Sequence, residues 1–542
     1  MKYKKTAALG ITAAAACAIA ISIPAMAGSD FSYMEPVASG VTLKPLLTTG
    51  DAVGGVTWAG VPDGMGVLKD GDNLTIFVNH ELATSNKTAA ALGHNGVTTS
   101  STVSALNLDI KSGAITGVRD LINKVEWFDY ATGQRSSTPS APAGADKVDA
   151  YGGALHGIGL NRFCSAWLTQ PGELAYRSTA KDGTVTTYGY TGPAYFTAEE
   201  NGDESRAFVL DNKGNLVQLP KVGLAGTENL LLQPGTGRAT VLMVNEDNNA
   251  TDSQLRMYVG QKETEGAWYQ KAGLDNGQAY VMAVNGIAND NDFRKNIGKG
   301  VATAVSWRPI NTSVNGKAQG LESLSLGTTM SRIEDGEWDP THPGDYYFIT
   351  TESNKDKGAT AVNPAEPTFS RDGGGLWRYR VTNPAKPLDG GTLTLLLDGT
   401  EVPYLSKPDN LNISGGNILI QEDPGNNGHV SRVVSYRLSD GKIGTVLKFK
   451  DEYFKTGAAG FLTIDEESSG MTDVTEYLKT SSNDPNNYFL LDAQVHTASG
   501  SAARPDLKLT DAQKATLDAL TVEGGQLYLM TITPAGWVSI YS

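Results

Sequence analysis

The chain has 542 residues, with 59 acidic against 44 basic side chains and a formal net charge of −15. That balance makes the chain a poor candidate for binding nucleic acid or anionic lipid, since both repel an acidic surface, and a better one for binding cations. A hydrophobic content of 40% with 19% charged residues, 62 glycines and 23 prolines describes a turn-rich β protein with a packed core.

Residues 1–27 read as a secretory leader. Lys2, Lys4 and Lys5 open it, an Ala/Ile-rich run follows, and Ala25-Met26-Ala27 is a small-x-small cleavage signal before Gly28. Cleavage there makes the net charge three units more negative. No later stretch approaches the ~20 apolar residues of a membrane span. Residues 28–542 are expected to form a single domain, because no Pro- or Ser-rich linker is long enough to separate a pair of domains; Ser136 to Lys147 reads as a surface loop. Cys17 lies in the leader, so Cys164 has no partner for a disulfide and is expected as a small buried side chain.

Strand signals then follow one another: NLTIFVNH, STVSALNLDI, RATVLMVN, LRMYVGQK, DYYFITTES, LWRYRVT, LTLLLDG, NILIQED, VVSYRLS, YFLLDAQV and LYLMTITPAGWVSIYS. Their cores are short and rich in β-branched or aromatic residues, bounded by Gly, Asn, Asp or Pro. Turns are expected at 211–215, 298–302, 438–442 and 534–537. The one clear helix is Thr510 to Gly524, with Thr510 as cap and Gln513 in capping-box position. Strand pairs recur every ~40–50 residues, the spacing of propeller blades. Stacked sandwiches are the alternative, but a propeller carries distant strand ends to one axial face. The expected fold is all-β: a β-propeller with extra loops and a short helix or two.

Six acidic clusters punctuate these strands: Asn79-His80-Glu81, Ala198 to Arg206, Val244 to Asn249, Ser331 to Pro340, Gln421 to Asn427 and Thr463 to Gly470. Most combine a strand, an acid and a turn. Carboxylates brought together repel unless cations sit between them. Glu81, Glu199, Glu200, Glu246, Asp247, Glu334, Asp335, Glu422, Asp423, Asp465, Glu466 and Glu467 supply a surplus of hard ligands for Ca²⁺, with neutral oxygens from Asn79, Asn248 and Asn410. The six histidines lack zinc-site spacing, though His80 stands beside Glu81 as a candidate orienting partner. No GxSxG elbow or Walker loop occurs, which leaves acyl transfer by an elbow serine and P-loop nucleotide hydrolysis unsupported. Arg206, Arg332 and Arg378 are candidates for gripping phosphate oxygens.

Together, NHE, AEENGDESRAF, ENLLLQP, MYVGQK, GLESL, EDGEWDP, KPDNL, QEDPGN and DEESSG resemble the PhoX-type alkaline phosphatase family from about Asp51 to Gln526. The resemblance implies a six-bladed propeller and an exported, monomeric, calcium-dependent phosphomonoesterase. It further implies iron beside calcium, at one mouth of the central channel. Where the family has an iron-ligating cysteine before the paired glutamates, this chain has Ala198, and Cys164 lies far upstream. Oxygen-only coordination, by Ca²⁺, Mg²⁺ or Mn²⁺ rather than thiolate-bound Fe³⁺, is therefore the expectation. The leader has lysines and no arginine pair, so the general secretory route to the periplasm or exterior is expected.

The leading reading is a hydrolase of small phosphate esters. Glu81, Glu200, Glu334 and Glu466 are the principal metal ligands, with Asp335, Asp409 and Glu467 next and Glu199 and Glu246 in support. Glu200 and Glu334 are expected at the reacting phosphate, and Arg206 on its equatorial oxygens. A non-catalytic Ca²⁺-binding propeller and a metal-assisted lactonase or phosphotriesterase are the alternatives.

Overall fold

Short β-branched and aromatic runs between turn residues leave the chain little choice but strands. The computed structural model describes residues 31–83, 99–145, 159–248, 253–351, 373–399, 401, 405–423, 425 and 429–542. The leader, His94 and His156 lie outside those residues.

The strands form six four-stranded blades, each running outward from an inner strand. Blade 1 is Pro62–Asp70, Asn73–His80, Thr102–Asp109 and Ala114–Asp120. Blade 2 is Phe163–Thr169, Ala194–Glu199, Ala207–Asp211 and Asn215–Gln218, extended by Lys124–Asp129 running parallel to its last strand. Blade 3 is Thr227–Leu232, Ala239–Glu246, Leu255–Gln261 and Gln278–Val284. Blade 4 is Ile333–Trp338, Asp345–Thr350, Gly375–Val381 and Gly391–Leu397. Blade 5 is Pro408–Ser414, Asn417–Glu422, Arg432–Arg437 and Ile443–Phe449. Blade 6 is Glu466–Asp473, Asn487–Ser499, Glu523–Ile532 and the early strand Val41–Thr48.

The six inner strands pack side by side in chain order, and the sixth returns to the first. A separate hydrophobic core fills each space between neighbouring blades. Blades 1 and 2, for example, share Phe77, Phe163, Tyr195 and Phe208. This is a six-bladed β-propeller. Val41–Thr48 pairs antiparallel with Glu523–Ile532, so the two ends of the chain close the ring in one blade. A fifth strand of blade 3, Thr303–Pro309, bonds to Gly391–Leu397 and welds blades 3 and 4 into one nine-stranded sheet.

The helix expected near the C-terminus is Asp511–Thr521, with the Thr510–Gln513 capping box in place. The turn expected at 534–537 is instead the start of a helix, Pro534–Ile540. Thr533 caps it by accepting from the Gly536 N–H, and Pro534 fills the first position, where its missing N–H costs nothing. The helix Gly316–Leu326, capped by Asn315, escapes the hydrophobic pattern because it buries few apolar side chains; Leu321 is 62% exposed.

Candidate metal centre

One register relation repeats around the ring. The first residue of each inner strand pairs with the last residue of the second strand or, in blade 6, with one four residues before its end: Pro62 with His80, Phe163 with Glu199, Thr227 with Glu246, Ile333 with Thr350, Pro408 with Glu422 and Glu466 with Val495. Side chains alternate along a strand, so the residue after each partner turns to the opposite face and the two share it. On the inner strands those residues are Asp63, Cys164, Glu228, Glu334, Asp409 and Glu467. On the second strands they are Glu81, Glu200, Asp247, Thr351, Asp423 and His496. All but Thr351 are carboxylate, thiol or imidazole, and all belong to one mouth of the channel.

Three devices aim them. In blades 1 to 5 the inner strand carries a β-bulge or register shift directly after this first pair, which re-aims a side chain away from the ladder; in blade 6 the shift comes further along, between Ser469 and Met471. Val61, Arg162, Arg332 and Lys407 hold left-handed φ of 51°, 47°, 60° and 44°, each two residues before its ring residue Asp63, Cys164, Glu334 or Asp409. Such conformations are strained in L-residues and persist where surrounding contacts fix them. Side-chain amides then staple one blade to the next. Asn79 donates to the Cys164 carbonyl at 2.6 Å, and Asn245 donates to the Glu334 carbonyl at 2.6 Å.

The acid before each outer ring residue does different work. Glu199 is gripped by Arg206 (Nε–Oε2 2.6 Å), with both side chains 0% exposed. Glu246 is gripped by Arg256 at 2.9 and 2.8 Å, and Glu422 by Arg432 at 3.0 and 2.7 Å. In blade 1 His80 takes this place, bonded to the Gly60 carbonyl at 2.8 Å and Ser104 Oγ at 2.6 Å. The tandem acids thus divide: the first clasps its own blade, and the second faces the channel mouth.

The channel-facing groups converge. Among the described residues, four sets have ligand atoms within 4.8 Å of one another: Asp63, Glu81 and Cys164; Cys164, Glu200 and Glu228; Glu228, Glu334 and Asp409; Glu81, Glu467 and His496. Shared members link the four sets into one chain of donors. Cys164 Sγ lies 3.3 Å from Glu200 Oε2. His496 bridges Glu467 at 3.4 Å and Glu523 at 2.9 Å. Arg162 pairs with Glu81 and, at 2.7 Å, with Glu200; Arg332 pairs with Asp247 at 2.8 Å and Glu334 at 3.4 Å. Burial, and then the charges of Glu228 and Glu200 respectively, push the Asp63 and Glu228 carboxyls well above the ordinary range. Burial raises Glu334, with Asp247 adding to it, and raises Asp409, with Glu334 adding to it. Burial works against ionisation of Glu200 as well, but Arg162 overrides it and holds that carboxyl low.

Of the residues expected at the site, Glu81, Glu200, Glu334, Asp409 and Glu467 come together. Glu199, Glu246 and Arg206 do not, since the clasps bury them in their blades. Glu466 turns away from Glu467 by strand alternation; it accepts from the Ser431 N–H at 2.8 Å and lines a separate cavity with His429, Arg432 and Lys448. Asp335 points down the channel, where Asn229 Nδ2 donates to it at 2.6 Å, and lines an axial cavity of about 370 Å³. Arg378 sits on the third strand of blade 4, and the Asn79 oxygen is taken by the Tyr195 hydroxyl at 3.0 Å. Sequence reasoning misses Asp63, Glu228, His496 and Arg162, and it sets Cys164 away from the site. Cys164 and Glu200 are far apart in sequence, yet the Phe163–Glu199 pair makes them neighbours. The common signal is a ligand two residues after a turn residue, as in VPD, RFC, GTE, RIE, KPD and DEE, hidden by unequal blade lengths.

Hard carboxylates with one thiol and one imidazole fit several oxygen-seeking cations and one that also accepts sulfur. Burial raises Asp247 and Asp423 to about 7, and Glu466 to about 8. Unfolded carboxylates titrate near ~4, so between about pH 5 and 8 the folded, metal-free chain binds protons that the unfolded chain does not. Chelated protein should therefore gain stability as pH falls from about 8 to about 5.5. Saturating Ca²⁺ should reverse the trend, because its ligands must be ionised. Thermal unfolding at both pH values, with and without Ca²⁺, reads this out; the same slope in both solutions would count against cation binding.

No family model matches the chain, and no curated protein matches it. Among solved structures it is similar to Pseudomonas fluorescens PhoX in complex with vanadate, a transition state analogue: TM-score 0.60, 12% identity, covering 96% of this chain and 99% of that one. A neuraminidase-like protein of influenza A/flat-faced bat/Peru/033/2010 aligns at TM-score 0.33 and 8% identity over 94% of this chain and 95% of its own. At 12% identity the likeness to PhoX is one of fold, a propeller spanning both chains almost end to end.

Proposed function

We propose that this chain is an exported, metal-dependent hydrolase of small phosphate esters, acting as a monomer at the propeller mouth. The observation that carries the reading is the double ring: six blades deliver one donor each from their inner strands, and the donors overlap in four sets. The fold shared with a PhoX structure that holds a transition-state analogue supports the same reading.

Asp63, Glu81, Cys164, Glu200, Glu228, Glu334, Asp409, Glu467 and His496 would hold the cations. Bound there, cations supply Lewis acidity to a phosphoryl oxygen and acidify water. The chain's own contribution is position and charge. Bulges and amide staples fix the carboxylates, so little reorganisation is needed as charge develops. Arg162 and Arg332 are 39% and 33% exposed, whereas Arg206 is sealed. Their guanidinium forks now neutralise ring acids; once cations take over those acids, the forks are free to grip equatorial phosphoryl oxygens.

Turnover of p-nitrophenyl phosphate by protein supplied with Ca²⁺ and then Fe³⁺ or Mn²⁺, against a chelated control, tests this. Turnover is expected only with metal. Tight Ca²⁺ binding without turnover under any metal would leave a binding propeller. Cleavage of lactones or triesters but not monoesters would reassign the chemistry.

A further inference from the structure

Blade 6 departs from the other five at one position. Three residues before the paired end of the second strand, blades 1 to 5 place Phe77, Phe196, Met243, Tyr347 and Leu419, each inside an inter-blade core. Blade 6 places Asp492 there, paired with Ser469. Asp492 is 0% exposed, and neither carboxylate oxygen has a hydrogen-bond partner among the described residues.

The surroundings point to a ligand. Gln494, two residues on and therefore on the same face, is also fully buried, and its Oε1 has no partner among the described residues. Its amide nitrogen lies within hydrogen-bond distance of Asp63 Oδ2 and Glu81 Oε2, each at 3.2 Å, Ser469 Oγ at 3.0 Å and Glu467 Oε1 at 3.3 Å, which fixes the side chain in the seam between blades 6 and 1, next to the mouth. Asp63 Oδ1 is likewise buried without a partner among the described residues. A methyl group built on Gly470 would lie 2.5 Å from the Asp63 carbonyl oxygen and 3.2 Å from Asp492 Oδ2, so both aspartates border the same glycine. The seam thus gathers four unpartnered oxygens, all acceptors. Buried acceptors without donors, two of them on one carboxylate, are costly unless a cation or proton joins them.

We propose that the seam between blades 6 and 1 binds a structural Ca²⁺ through Asp492, Asp63 Oδ1 and Gln494 Oε1, fastening the ring in the blade where the early strand Val41–Thr48 closes it. All-oxygen donors suit Ca²⁺, which accepts irregular geometry. Asp63 also belongs to one of the four donor sets at the mouth, so the two sites adjoin, but Asp492 and Gln494 belong to none of those sets and the proposal does not depend on hydrolysis.

The test uses the mature full-length chain, as wild type, Asp492→Leu and Asp492→Asn. Calcium content is measured after equilibration in Ca²⁺ buffer, and thermal unfolding is followed in Ca²⁺ and in chelator. Asp492→Leu should hold one calcium fewer. It should melt below wild type in Ca²⁺ but above it in chelator, because blade 5 already accommodates leucine in this layer. Equal calcium content, or a higher melting point in both solutions, would show that Asp492 rests as a neutral acid and overturn the proposal. If the leucine variant does not fold, Asp492→Asn decides: at least a tenfold weaker affinity for one Ca²⁺ is expected, and unchanged affinity overturns it. Glu228→Gln, at the mouth, should lower metal content while keeping the wild-type response of the seam.

Discussion

Replacing Arg206 by methionine is expected to destabilise the protein by about 3–5 kcal/mol, the cost of stranding one partner of a buried ion pair. Glu199 and Arg206 are both sealed from solvent, and Arg206 also lies over the Trp127 ring at 4.7 Å. Without the guanidinium, Glu199 keeps only the backbone N–H groups of Asn161 and residue 206, each at 3.1 Å. Adding Glu199→Leu should recover most of the loss, since an apolar pair of similar volume is often no worse than a buried salt bridge. Urea unfolding measures both steps. Turnover separates this role from a catalytic one. The folded double variant should still cleave p-nitrophenyl phosphate, because the pair clasps blade 2 and does not reach the mouth. A stable but inactive double variant would return Arg206 to the site.

Cys164→Ser should have the largest effect on chemistry. Sequence order sets this thiol apart from the paired glutamates, and on that basis its loss would be harmless. The structure places Sγ in two of the four donor sets, 3.3 Å from Glu200. Burial first, then the charges of Glu81 and Glu200, hold the metal-free thiol protonated. A bound cation inverts that balance and favours the thiolate. Serine keeps the shape and removes the soft donor. Loss of any sulfur-accepting metal is expected, with turnover down by more than about 100-fold, beyond the roughly 10- to 100-fold cost of altering outer partners of a metal site. Calcium content should fall less. Elemental analysis beside activity decides it; full metal and full turnover in the serine variant would make Cys164 a packing residue.

The two experiments address the same ambiguity in the tandem acids. Glu199-Glu200, Glu246-Asp247 and Glu422-Asp423 look alike as letters, yet strand alternation sends the first of each pair into its blade and the second to the channel. An arginine near the start of the next strand marks the clasp: Arg206, Arg256 and Arg432. That cue is present in the sequence, but it reads equally as a phosphate-binding arginine until burial is known. Glu466 and Glu467 divide the same way without an arginine, so no local cue separates them.

The sequence alone determined the strands, the helix at Asp511–Thr521 and the acidic character of one end of the blades, because these follow from alternation, turn chemistry and charge over a few neighbouring residues. Only the tertiary structure decided which acids meet. That depends on strand register, on bulges and on ring closure, all of which join residues tens to hundreds of positions apart. Cys164 beside Glu200, Asp63 beside Glu81 and Glu228 between Cys164 and Asp409 are products of that closure. Six inner strands of unequal spacing carry one donor each, and their common focus exists only when the last blade packs against the first.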